Sequence, residues 1–159
     1  MKRFLGLFFI LCVVAGCSKS DSSIHRKMVA AAYYYQDAEA GRHFTFYLVE
    51  KKADLVQSPD DPNAMEVTKY VCLEFYSGAE TPQGTYLLTD SFIDTKMDVG
   101  EAIAFDNCYL KGQQGYIPNG TVEIGDNTIA IHGTMKNGRE YTLSYSGPFQ
   151  QTGNITTFL

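Results

Sequence analysis

The stretch that decides the fold is "GTVEIGDNTIAIHGTMKNGREYTLSYSGP", residues 120–148. Apolar and polar residues alternate along it with the period of two that is typical of strands with one buried face. Turn-forming residues interrupt the alternation at Asp126-Asn127 and again at Lys136-Asn137-Gly138. The stretch therefore predicts three consecutive antiparallel strands joined by two tight turns.

The alternation also predicts the register of both hairpins. A two-residue loop in the first hairpin pairs Ile124 with Ile129 and keeps their side chains on one face. In the second, a two-residue loop at Asn137-Gly138 would send the apolar side chains to opposite faces. A three-residue loop that ends on Gly138 in the left-handed conformation pairs Ile131 with Leu143 instead. We expect the three-residue loop, with Ile131 paired to Leu143.

Similar alternation recurs earlier in the chain, in "HFTFYLVE" (43–50) and "YVCLEFYS" (70–77). The segment 51–66 between them is rich in Pro and Asp and reads as a long loop. The only helical candidate is "TKMDVGEAIAF" (95–105), which Gly100 weakens. The sequence therefore predicts an all-β fold over residues 28–159, either a single antiparallel β-sandwich, which we favour narrowly, or a partly closed β-barrel with tight hairpins.

The N-terminal stretch "FFILCVVAGCSKSDSS" (8–23) carries a different signal. A basic start at Lys2 and Arg3 precedes an apolar run over 4–14, too short to span a bilayer as a helix. The run ends in "VAGC" (14–17), which resembles the lipobox of bacterial lipoproteins. The resemblance implies that residues 1–16 are a cleaved signal peptide, and that Cys17 is joined to a diacylglycerol and acylated on its new amino group.

The residues that follow Cys17 are polar and rich in Ser, so residues 17–27 are predicted to be the lipidated cysteine and a flexible tether. The partner implied is the membrane, reached through the lipid anchor. Ser18 directly after the anchor is, by the sorting rule of many Gram-negative lipoproteins, compatible with the outer membrane. Whether the domain faces the surface or the periplasm stays open.

Three features together resemble a wider group of proteins: the lipobox, the turn "PQGTY" (82–86) and the closing "GREYTLSYSGP" (138–148). They are similar to the small β-rich envelope lipoproteins of Bacteroides-like bacteria, whose members mostly have no assigned activity. The resemblance implies an all-β fold and an envelope location and adds little about function.

Composition bounds the range of partners. Removal of residues 1–16 leaves 143 residues with 11 basic and 18 acidic side chains. Nucleic acid requires clustered Lys and Arg, so this balance argues against a nucleic-acid partner.

Catalytic and metal motifs are absent from the sequence. His25, His43 and His132 do not stand at metal-ligand spacing with Cys or with one another. The acidic stretch "DTKMDVGE" (94–101), flanked by Asp90 and Asp106, could hold calcium, but a solvated acidic loop explains it more simply. We therefore predict no catalytic residue, no metal and no cofactor.

Cys72 and Cys108 are the two thiols left after cleavage. In an oxidising compartment they are candidates for a disulfide that closes a long loop. The alternative is two separate thiols that pack as small apolar side chains.

The tyrosines are further candidates for ligand binding, since the chain has eleven Tyr and no Trp. Tyr33, Tyr35 and Tyr76 are candidates for stacking on a ligand such as a sugar ring. Consecutive strand residues alternate between faces, so Tyr34 should point away from its two neighbours. Ordinary packing in a sheet is the competing explanation.

The function that these features favour is a non-enzymatic, lipid-anchored envelope protein that binds a ligand or has a structural role. A glycan or an envelope protein could be its partner. The alternatives are a glycan-binding surface lipoprotein, a lipocalin-like carrier of a small hydrophobe, and an envelope hydrolase that uses carboxylates.

The lipid anchor can be tested by Cys17→Ala. Because stable anchoring requires the acyl chains, the variant should leave the membrane fraction and lose the mass of the lipid. Fractionation and intact-mass measurement check this, with Cys12→Ala as the control that should stay lipidated. A variant at Cys17 that remains membrane-bound with unchanged mass would contradict the assignment.

Overall fold

The computed structural model describes residues 23–90, 97–108 and 115–158, and these residues form fourteen β-strands and one 3₁₀ turn at Lys52–Asp54. The strands are β1 (Ile24–Met28), β2 (Ala30–Ala38), β3 (Gly41–Val49), β4 (Leu55–Gln57), β5 (Ala64–Val67), β6 (Val71–Ser77), β7 (Gly84–Leu88), β8 (Glu101–Asp106), β9 (Tyr116–Ile117), β10 (Asn119–Ile124), β11 (Thr128–Thr134), β12 (Glu140–Ser146), β13 (Phe149–Gln151) and β14 (Asn154–Thr157). The all-β prediction is confirmed. Within these residues the chain forms no helix with the length and hydropathy of a membrane span.

Eleven strands form one large sheet in the order β1-β12-β11-β10-β7-β8-β6-β3-β2-β13, with β9 paired to β8. The remaining strands form a small sheet in the order β14-β5-β4. The large sheet is mixed, because β1 with β12, β7 with β8, and β13 with β2 are parallel pairs. Sequence reasoning missed these parallel pairs, since it rested on hairpins, which are antiparallel by construction.

The large sheet curls because two segments of the chain connect strands at its opposite ends. One residue, Val29, separates β1 from β2, although β1 lies at one end of the sheet and β2 near the other. The segment 140–151 makes the matching connection, because β12 pairs with β1 and β13 pairs with β2. Of the two architectures that the sequence left open, the structure therefore has the partly closed barrel.

The main hydrophobic core lies inside the curled sheet. Every second residue of each long strand points inward, as Phe44, Phe46 and Leu48 do on β3. Phe44 and Phe46 stack on Phe75 of β6, with ring centroids 5.3 and 5.7 Å apart. Such pairs add to the free energy gained from burying apolar surface.

A second, smaller core lies on the outer face of the same strands. Ala32 of β2 and Val49 of β3 pack there against Met65, Val67 and Ile155 of the small sheet. Strands β2 and β3 are therefore covered on both faces, which accounts for their nearly continuous apolar and aromatic sequence.

Both predicted hairpin registers are confirmed. Ile124 pairs with Ile129 in the first hairpin, and Ile131 pairs with Leu143 in the second. Gly138 has a φ of 83°, in the left-handed region where residues with a Cβ are disfavoured.

Two local expectations were wrong. The segment 51–66, predicted as a loop, contains β4 and the start of β5. These two strands pair antiparallel with each other, and β5 also pairs with the parallel strand β14 from the far end of the chain. Residues 95 and 96 of the helical candidate 95–105 lie outside the described residues, while residues 101–105 belong to β8 and Gly100 has a φ of 92°. Burial alternates along β8, and the side chains of Ala102 and Ala104 lie inside the sheet.

The domain begins earlier in the chain than the predicted boundary at residue 28. Strand β1 starts at Ile24, inside the segment expected to be tether. Ile24 and Met28 pack on the core, so the strand has the alternation of a half-buried segment despite its polar composition. Six residues, 18–23, remain between Cys17 and the first strand.

An ion pair crosses the barrel interior near the start of β1. The Asp106 side chain is fully buried, and its Oδ2 accepts a hydrogen bond of 2.9 Å from Nε of Arg26, which is 18% exposed. Arg26 also contacts Glu50 at 3.3 Å. A buried carboxylate is tolerated only when it is paired, so this contact joins β1 to β8 across the core.

We expect Asp106→Asn to lower the free energy of unfolding by about 3 kcal/mol, because it leaves a partly buried guanidinium without its closest partner. Urea unfolding monitored by tyrosine fluorescence measures the loss. Asp37→Asn is the matched control, since it removes the exposed partner of Arg42 and should change stability little. Equal losses in the two variants would contradict a special role for the buried pair.

Candidate functional site

An open pocket with a volume of about 440 Å³ lies at the end of the barrel away from Ile24. Its size is within the range of small-molecule sites. We call it the mouth pocket. Four segments line it: the facing ends of β2 and β3 (Tyr33, Tyr35, Arg42, Phe44), the turn before β7 (Glu80–Gln83), the turn Asp126-Asn127, and the residues that follow β12 (Pro148, Phe149, Gln151).

Strand alternation brings two of the three candidate tyrosines into this pocket. Tyr33 and Tyr35 lie on the inner face of β2, while Tyr34 packs against the small sheet on the outer face. The predicted separation of Tyr34 from its neighbours is confirmed. Tyr76, the third candidate, lies on the outer side of β6, where its hydroxyl accepts a hydrogen bond of 3.1 Å from Ala40 N.

Aromatic contacts hold the floor of the mouth pocket in place. The ring of Tyr33 stacks on Phe46 at 4.7 Å with an interplanar angle of 8°. Phe149 meets Tyr33 edge-on at 6.5 Å and stacks on Tyr145 at 5.7 Å. Burial raises the pKa of Tyr33, whose hydroxyl donates to Gln151 Oε1 at 3.3 Å.

Arg42 supplies the positive charge in the mouth pocket. Its guanidinium lies 4.3 Å from the centre of the Tyr35 ring, a cation–π contact. Its Nε donates to Asp37 at 2.7 Å and its Nη1 to the Glu80 carbonyl at 2.8 Å. The hydrogen bond to Asp37 raises the pKa of Arg42, and these contacts hold its side chain over the ring.

The position of Arg42 depends on the glycine before it. Gly41 has a φ of 147°, and a Cβ there would overlap the carbonyl oxygen of Ser77 on the neighbouring strand. Only glycine allows β3 to begin this close to β6, so the hairpin tip and Arg42 are fixed together.

Tyrosine hydroxyls hold two of the irregular lining segments. Tyr86 donates to the Pro82 carbonyl at 2.9 Å, and Ser77 donates to that of Thr81 at 3.0 Å. Tyr145 donates to the Pro148 carbonyl at 2.6 Å. The buried ends of the strands thus set the shape of the pocket rim.

The charges around the mouth pocket favour some ligands over others. Glu80 and Asp126 line it, and Asp37 already pairs with Arg42. Carboxylates outnumber cations here, so a strongly anionic ligand would be repelled. Aromatic rings beside hydroxyl, amide and carboxylate groups suit a neutral ligand with many hydroxyls.

Cys72 and Cys108, the candidates for a disulfide, are free thiols in the structure. Cys72 lies on the outer face of β6, near Tyr47 and Glu74. Cys108 follows β8, where its backbone N–H donates to the buried Asp106 carboxylate. The structure therefore has the second of the two alternatives, two separate partly buried thiols.

The acidic residues of the candidate calcium loop do not all come together. Asp106 points inward to Arg26, whereas Glu101 begins β8 on the opposite face and accepts a hydrogen bond from the Asp98 backbone. Asp94 and Cys17, the residue predicted to be lipidated, lie outside the described residues. Within the described ranges no three His, Cys, Asp or Glu side chains are grouped as metal ligands.

Sequence reasoning missed most of the mouth pocket. Arg42, Glu80 and Phe149 come from distant segments that the barrel topology brings together. Comparison with known proteins adds no further residue roles: no family model, curated protein or solved structure matches this chain.

The thiols provide a test that depends on pH. Burial raises the pKa of Cys108 to about 11, and that of Cys72 further still. Because the thiolate is the reactive form, alkylation of the folded protein should be slow near neutral pH and accelerate as pH rises, with Cys108 reacting before Cys72. Peptide mass mapping after iodoacetamide treatment measures both rates. In urea the two should react alike, and recovery of a bridged peptide would contradict the free thiols.

Proposed function

We propose that this protein is a non-enzymatic, lipid-anchored protein of the bacterial outer membrane that binds a neutral glycan in its mouth pocket. The single observation that carries the proposal is the pocket itself, which joins Tyr33, Tyr35 and Arg42 to a polar rim. The lipobox residues 14–17 support the anchor and the envelope location.

The direction of β1 supports a role in which the mouth pocket is held facing away from the membrane. Ile24 lies at one end of the barrel, and Tyr35 of the mouth pocket lies eleven residues further along the same segment, at most roughly 36 Å away at 3.3 Å per residue. A lipid on Cys17 would hold the Ile24 end toward the bilayer, so the mouth pocket would open away from it. That orientation suits capture of a ligand that is not itself part of the membrane.

The filled interior makes the carrier alternative weaker. Fully buried side chains such as Phe46, Leu73 and Ile131 occupy the space that a lipocalin-like carrier would leave for a hydrophobe. The hydrolase alternative has one observation in its favour, since Glu80 and Asp126 both line the mouth pocket.

Binding can be tested by titrating the mature protein with neutral oligosaccharides, such as maltotriose and mannotriose, and with the acidic trigalacturonic acid. Calorimetry should detect a neutral sugar and weaker or no binding of the acidic one, because of the excess of carboxylates. Tyr35→Ala should weaken binding about tenfold or more, equivalent to about 1.4 kcal/mol.

Tyr76→Ala is the matched control, since it removes a tyrosine from the outer face and should leave the affinity unchanged. Equal effects of the two variants, or preference for the acidic sugar, would contradict the proposal. If the protein released new reducing ends from the oligosaccharide during the titration, its function would be hydrolysis and not binding alone.

A further inference from the structure

A second pocket, with a volume of about 210 Å³, lies on the outer wall of the barrel. We call it the wall pocket, and it is lined mainly by Tyr47, Tyr70, Cys72, Glu74 and Phe105. It does not share a lining residue with the mouth pocket, so the two pockets can bind ligands independently of each other.

Strand pairing produces the wall pocket directly. Tyr47 of β3 pairs with Cys72 of β6, and Cys72 pairs with Phe105 of β8. These three side chains therefore form one row across the outer face of adjacent strands, with the small thiol between two aromatic rings. Glu74 belongs to the next row on the same face.

Three aromatic rings, those of Tyr47, Tyr70 and Phe105, form the sides of the wall pocket. Tyr70 meets Tyr47 with ring centroids 5.1 Å apart and an interplanar angle of 66°. Phe105 remains 37% exposed, although it is a large apolar side chain on a central strand. Thr157 of β14 completes the rim, so the small sheet closes one side of the pocket.

Glu74 brings a negative charge to this aromatic site. Burial raises the pKa of both the Tyr47 hydroxyl and the Cys72 thiol, so these two groups are neutral at physiological pH. No Lys or Arg lines the pocket, all of whose lining residues are in the described part of the chain. The ion-pair partner of Glu74 among the described residues is His43, whose Nε2 lies 3.5 Å from Oε2 and which does not line the pocket.

We propose that the wall pocket binds a small alkylated ammonium ion, such as the trimethylammonium group of choline. Aromatic rings attract such a cation through their negative faces, and this attraction strengthens where water is excluded. Glu74 adds a direct charge interaction. The volume is below that of sites for drug-sized ligands and suits a compact ion.

The decisive experiment compares choline with 3,3-dimethyl-1-butanol, the uncharged molecule of the same shape, on the mature protein. Choline should bind with millimolar or better affinity, and its methyl proton resonances should move upfield in NMR titrations because aromatic ring currents surround them. The uncharged analogue should bind at least fivefold more weakly. Equal binding of the two, or no binding of choline, would overturn the proposal.

Variants locate the site. Phe105→Leu and Glu74→Gln should each weaken choline binding about three- to fivefold, as expected for one cation–π or charge contact at a partly exposed site. Both side chains are partly exposed, so the fold should survive the changes. Tyr35→Leu, in the mouth pocket, is the control that should have no effect. Loss of binding in Tyr35→Leu alone would overturn the assignment to the wall pocket.

A trimethylammonium group could come from the free ion or from a phosphocholine lipid headgroup. Titration with monomeric dihexanoylphosphatidylcholine distinguishes these sources. Tighter binding than choline that still depends on Phe105 indicates the headgroup, and weaker binding indicates the free ion. Lipid binding that is unchanged in Phe105→Leu would contradict recognition of the ammonium group in this pocket.

Discussion

The structure depends on one segment, residues 24–38, whose two parts pair with strands at opposite ends of the large sheet. Its first part, β1, pairs with β12, and its second part, β2, lies between β3 and β13. Without this segment the other strands would form an open sheet with two long unpaired edges, which is a hazard for aggregation. The curl of the sheet, the enclosed core and the mouth pocket all follow from this arrangement.

The Arg26–Asp106 contact also helps to hold β1 in its place in the curled sheet. It joins the first strand to a strand that is not its neighbour in the sheet, across the inside of the barrel. A buried ion pair adds little net stability, but it penalises any register in which one of its charges is left alone. A slip of β1 by one residue would point Arg26 outward and leave Asp106 buried without its cation.

The parts of the fold that could be predicted from sequence are those decided between neighbours in the chain. The register of β10, β11 and β12 follows from local alternation and from the glycine in the second turn. Parallel pairs such as β14 with β5 join segments about ninety residues apart, and no local pattern encodes that choice. For the same reason the alternation in "AAYYYQDA" could separate Tyr34 from Tyr33 and Tyr35, but could not indicate that Arg42 and Phe149 would join the latter pair.

The parallel pairing of β1 with β12 has a mechanical consequence. If Cys17 holds the protein to a membrane, any drag on the domain is transmitted through β1. A pull along β1 loads all the slanted hydrogen bonds of its five residue pairs with β12 at once, in shear, and does not peel them apart one by one. The Arg26–Asp106 contact resists the same sliding from the inner face of the strand. The first strand is thus suited to carry tension that is applied to the N-terminal end of the domain.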